Sequence, residues 1–131
     1  MTERSFITLG TAADTTITVH RERSSDGAVQ GLAFEAEHPL TIGDQEATRI
    51  VLWCDTAPET VQIVTGPAGP LYIWNVWRTA SLIQAWEGDA RIEVEDEGED
   101  LGLRCYDGLG HATPTLEARI GFDRSWTQPD E

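Results

Sequence analysis

Lysine does not occur in this chain of 131 residues. All nine basic residues are arginine, set against 23 Asp and Glu for a formal net charge of −14. Nucleic-acid-binding surfaces neutralise phosphates with clustered Lys and Arg, so this field argues against direct nucleic-acid binding, and against anionic membrane surfaces with it. Cysteine is scarce too, with Cys54 and Cys105 alone. No stretch approaches the roughly 18 consecutive apolar residues of a membrane-spanning helix. The start, Met1 to Ser5, carries no basic region followed by an apolar run. The expectation is a cytoplasmic protein with two unpaired thiols. No two His or Cys stand at metal-ligand spacing, and the Gly-rich loop Asp107 to His111 has neither a Lys nor a strand-to-helix transition to make a phosphate cradle. The sequence therefore implies no metal and no cofactor.

What is present is material for a core. Hydrophobic residues make up 40% of the chain and include five Trp. A chain of this length buries about two-thirds of its unfolded surface without metals or disulfides, and no linker, repeat or low-complexity block divides it. Residues 1–131 are read as a single domain with a loose tail after Trp126.

Alternation is the dominant signal. Ile17 and Val19 alternate with Thr16, Thr18 and His20, and Leu32, Phe34 and Ala36 follow beyond the turn Ser24 to Gly27, where an Asp-Gly pair predicts a tight hairpin. Ile92 and Val94, then Leu101, Leu103 and Cys105, then Leu116, Ala118, Ile120 and Phe122 repeat the pattern. Each reads as a strand with one buried and one wet face. Phe6 to Leu9, Ile50 to Cys54 and Thr60 to Val64 add short strands, while Thr79 to Trp86 fits either a strand or a helical turn. The fold class is all-β: a single-domain antiparallel β-sandwich or small closed barrel of about nine or ten strands.

Charge is unevenly spread along this pattern: −5 over residues 1–58, zero over 59–81 and −9 over 82–131. The neutral middle holds Leu71-Tyr72-Ile73-Trp74-Asn75-Val76-Trp77-Arg78. As a strand it is apolar on both sides, with Leu71, Ile73, Asn75 and Trp77 on one and Tyr72, Trp74 and Val76 on the other. A central strand covered on both faces is the plain reading. The functional reading takes Tyr72, Trp74, Trp77 and Arg78, extended by Trp86, as a binding surface, because Trp, Tyr and Arg are the residues enriched where proteins meet.

Two other clusters are weighed against it. Glu93 to Asp100 places six carboxylates around a hairpin tip, without the spacing of a calcium loop, and reads as a solvated turn. Asp107 and His111 lie four apart beside Cys105, but the alternation points Cys105 inward, where a thiol is inert. The expected function is a non-catalytic intracellular module that binds a protein partner, in the manner of an inhibitor or immunity protein, or that associates with itself. A carbohydrate or small-ligand binding β-sandwich is one alternative, and a hydrolase centred on the Asp107-His111 loop another.

Overall fold

The computed structural model describes residues 2–25, 27–80, 82–86, 88 and 90–128. Every element in it is a strand: β1 (Thr2–Arg4), β2 (Ile7–Thr11), β3 (Thr16–Ser24), β4 (Val29–Ile42), β5 (Gln45–Trp53), β6 (Thr60–Val64), β7 (Gly69–Thr79), β8 (Leu82–Gln84), β9 (Arg91–Asp96), β10 (Asp100–Tyr106), β11 (Leu116–Phe122) and β12 (Trp126–Thr127). Among the described residues no helix is long and apolar enough to cross a membrane. Asp26 of the expected turn and the chain end beyond Gln128 lie outside the described residues.

All pairings are antiparallel, and hydrogen bonding links the strands in the order β1-β9-β10-β11-β3-β6-β4-β7-β2-β12, with β5 on β4 and β8 on β7. The sheet curls about one core because its inward residues are the apolar half of each alternation. Ile17, Phe34, Ile63, Ile73, Ile92, Leu101 and Ile120 are all fully buried there. β4 makes the corner. Its first half pairs with β7 and β5, its ladder slips between Glu35 and Leu40, and beyond the slip Thr41 pairs with Val64 of β6. A bulge with Pro39 in it, a residue lacking the N–H a regular ladder needs, allows one strand to leave one layer and enter the next.

The expected hairpin at Ser24 to Gly27 does not form. β3 pairs with β11 and β6, and β4 lies on the far side of β6. The Ser25 N–H donates to the Thr115 carbonyl, so the chain leaves β3 along β11 instead of folding back. The acidic tip does form: β9 and β10 pair from Asp96 opposite Leu101, and the Glu97 N–H donates to the Asp100 carbonyl. Thr79 to Trp86 resolves as a turn, the short strand β8 and a following bend. Trp126 and Thr127, at the start of the expected loose tail, pair with Thr11 and Gly10.

Candidate functional site

β7 is covered on both faces, and its two sets of side chains divide as alternation requires. Leu71 and Ile73 enter the main core, whereas Trp74 and Val76 join Ala33 in a second buried cluster on the opposite, outer face. Register builds that outer face in rows across β5, β4 and β7. Trp53, Gly31 and Val76 form one row, Val51, Ala33 and Trp74 the next, and Arg49, Glu35 and Tyr72 the third. Above them Arg78 lies between Val29 and Ile83 of β8.

The middle strand supplies the smallest residues, and this is what gives the indoles room. A Cβ on Gly31 would stand 2.9 Å from Trp53 Cε3 and 3.1 Å from Val76 Cγ2, so the Trp53 ring lies directly across the glycine. Each tryptophan also receives an arginine from the strand beyond. The Arg78 guanidinium sits 4.7 Å over the Trp53 ring, and that of Arg49 sits 5.5 Å from the Trp74 centroid. Carboxylates hold both arginines in place: Asp55 at 2.5 Å from Arg78, and Glu35 at 2.6 Å from Arg49.

Trp86 completes the surface from the bend after β8. Its ring centroid lies 5.3 Å from that of Trp74 at an interplanar angle of 33°. Trp74 beneath is only 7% exposed, while Trp86 is 56% exposed. The backbone at Trp86 has φ of +59°, a left-handed conformation that is an outlier for a bulky side chain. Leu82 and Ile83 on β8 are equally open, at 59% and 60%.

Tyr72, Trp74, Arg78 and Trp86 thus come together on one face. Trp77 does not join them. It points the other way, is fully buried, and its indole N–H donates to Gln84 Oε1 at 3.1 Å. Its odd position in β7 puts it with Leu71 and Ile73, and it can touch no partner. Sequence reasoning missed Trp53 and Arg49. Their signal was present in the spacing, because Arg49, Val51 and Trp53 are alternate residues of one strand, and in the small residues Gly31 and Ala33 that oppose them.

The remaining titratable groups are mostly tied into the fold. Asp107 is buried; it accepts from Gln30 Nε2 at 3.0 Å and from the Leu109 N–H at 3.2 Å, while its own N–H donates to Thr115 Oγ1. His111 Nε2 lies 3.5 Å from Asp107 Oδ1 on the exposed side, so the structure does bring this pair together. Cys105 faces the core, fully buried, and burial pushes its thiol well above the ordinary value. No contact joins it to His111 among the described residues, which leaves that imidazole without a nucleophile from this thiol. Cys54 is half-buried and free, its thiol also raised by burial.

The acidic strands form a charged face rather than a bare tip. Glu95 and Glu117 flank Arg104 at 3.7 and 3.8 Å, Glu22 and Glu97 flank Arg119 at 3.6 and 3.5 Å, and Glu93 accepts from the Tyr106 hydroxyl. Among the described residues no three carboxylates, imidazoles or thiols are grouped to hold a metal ion. Comparison with protein-family models, curated proteins and solved structures returns no match.

Proposed function

We propose that this chain is a non-catalytic module that binds another protein through the outer face of β4, β7 and β8, centred on Trp86 where it stacks on Trp74. The observation that carries this reading is the contrast between the two rings. Trp74 is packed, fixed and covered, and it supports a second tryptophan held open to solvent in a strained backbone, on the face that Arg78 shares with exposed Ile83. Exposed apolar groups gathered at one place mark contact surfaces, and an indole seated on a rigid platform loses little conformational freedom on binding. Arg78 and Arg49 add planar donors within the same face.

A protein fits this surface better than a small ligand. An open cleft of ≈ 730 Å³ is lined by Asp96, Glu99, Phe122, Asp123 and Trp126, among others, and includes none of these outer-face residues. The curled sheet is read as a sandwich-like scaffold that presents one face, and free Cys54 and Cys105 suit a reducing, cytoplasmic setting. A net charge of −14 favours a basic target of the kind an inhibitor or immunity protein caps, with self-association as the special case.

The test compares three baits in affinity capture, followed by titration with the purified captured protein. Trp86→Ala should cost about 0.5–1.5 kcal/mol of stability, the worth of its pairing with Trp74, and weaken binding by about 2 kcal/mol or more. Trp77→Ala should instead cost ~3–5 kcal/mol of stability as a buried truncation. Equal binding by wild type and Trp86→Ala, or recognition of glycans in place of any protein, counts against the reading.

A further inference from the structure

A separate surface lies at the edge of the sheet. β5 is hydrogen-bonded to β4 alone, over Gln45 to Trp53. The phase of that ladder follows from one further bond, in which the Cys54 N–H donates to the Gln30 carbonyl. Antiparallel pairs alternate between hydrogen-bonded and non-bonded. Counting back from Cys54 as far as the slip, Leu52 and Ile50 turn their N–H and C=O groups toward β4, and Val51 and Arg49 turn theirs outward. The outward carbonyl of Trp53 is already used, accepting from the N–H groups of Thr56 and Ala57 at 3.1 and 2.8 Å. For the outward groups of Val51 and Arg49 the described residues supply no backbone partner.

Natural edge strands are commonly blunted by Lys, Pro or a bulge that breaks the row. β5 has neither Lys nor Pro, and it alternates regularly from Arg49 to Trp53, its phase changing only at Thr48, opposite the longer stretch of β4 between Glu35 and Leu40. Its one cation, Arg49, is drawn onto Trp74 and Glu35 instead of guarding the edge. The edge is nevertheless flanked by like charge. Asp44 and Glu46 stand at one end, Asp55 and Glu59 at the other, and Arg49 is the single basic residue from 44 to 59, giving a local net of −3.

We propose that the free edge of β5 is a strand-addition site for an extended, positively charged segment of a partner protein. Main-chain bonds to Arg49 and Val51 supply the attachment, and the acidic flanks select a segment bearing Lys or Arg. A second copy of this chain is the disfavoured occupant, because each copy brings −14 to the contact. The site is distinct from the Trp86 surface. Arg49 lends its side chain to that face, and Trp74 beneath Trp86 stands two inter-strand steps from the edge, roughly 10 Å at about 4.8 Å each. The edge, however, binds through main-chain groups that Trp86→Ala leaves in place, so either surface can fail while the other stands.

The experiment follows exchange of the Arg49 and Val51 amide hydrogens in the full chain. It is run alone, with a pool of randomised nonapeptides carrying Lys or Arg at alternate positions, and with a matching Asp/Glu pool. The basic pool should slow these two amides by about tenfold or more, and the acidic pool should leave them unchanged. Val51→Pro and Arg49→Pro each remove an outward donor while leaving every β4–β5 bond in place, and each should abolish the slowing. Using two variants guards against one failing to fold, and a thermal melt of each identifies the folded one. The proposal is overturned by no slowing at millimolar basic peptide, by equal slowing with the acidic pool, or by slowing that survives in a folded proline variant. Protection in the protein alone, accompanied by dimerisation in sedimentation, would assign the edge to a second copy and overturn it too.

Discussion

Trp74 and Trp77 stand three positions apart, and that odd spacing on a strand sends them to opposite faces. Burial pushes the Cys105 and Cys54 thiols above their ordinary value of 9.0. Burial, and then the hydrogen bond to Glu93, pushes the Tyr106 hydroxyl above its ordinary 10.0. The folded chain therefore keeps these protons to higher pH than the unfolded chain does. Their contribution to stability is complete below about pH 9 and is lost as pH rises further, because the unfolded state ionises first. The melting temperature should be level through neutral pH and fall above about pH 9, with a shallower fall in Cys105→Val. An alkaline limb of the same slope in that variant would place the effect on other groups.

Within the elements, the outer face depends on β4 being narrow where β5 and β7 are bulky. Gly31→Val would drive carbon into the Trp53 ring and Val76, at distances of 2.9 and 3.1 Å for the first atom alone. The expected cost is ~1–3 kcal/mol, as for other overpacked sites, read as a lower denaturation midpoint. Near-UV circular dichroism should change with it as Trp53 leaves Arg78, and an unaltered spectrum would contradict the arrangement. Strands were legible in the sequence because alternation is local: Ile17 and Val19, Ile92 and Val94, and Leu101 to Cys105 are buried as their spacing requires. The division of β7 into two faces was legible for the same reason. Partner choice was not. Asp26-Gly27 carries the local chemistry of a hairpin, yet β3 and β4 bond to other strands, a decision made by residues such as Thr115 and Val61 far along the chain. Whether a tryptophan on a doubly apolar strand reaches solvent is equally non-local. Trp74 is covered by Arg49 and Trp86, and no pattern within residues 71 to 78 contains either.

For the molecule as a whole, the surplus of acid outweighs its ion pairs. The Arg23, Arg104 and Arg119 contacts with glutamates are exposed, with N···O distances of 3.4 to 3.8 Å. Such pairs are worth about 0–1 kcal/mol each, whereas a net charge of −14 repels itself throughout the compact state. Raising salt from about 10 mM to about 150 mM shortens the screening length from roughly 30 to 8 Å. The melting temperature should therefore rise with salt, and a fall would show that the arginine–glutamate contacts dominate.

The ends of the hydrogen-bonded path carry a consequence for how the chain is made. Both are secured by the first strands synthesised: β1 pairs with β9 at Ile92 to Val94, and β2 pairs with β7 and, through Gly10 and Thr11, with β12. A ribosome has therefore released Ile7 and Leu9 long before their neighbours exist. The nascent chain must carry those apolar residues unsatisfied while some sixty more are added to complete Leu71 and Ile73, and nearly the whole chain before Trp126 arrives. Folding during synthesis cannot proceed from the amino terminus outward, and the last residues translated complete a sheet that the first had to wait for.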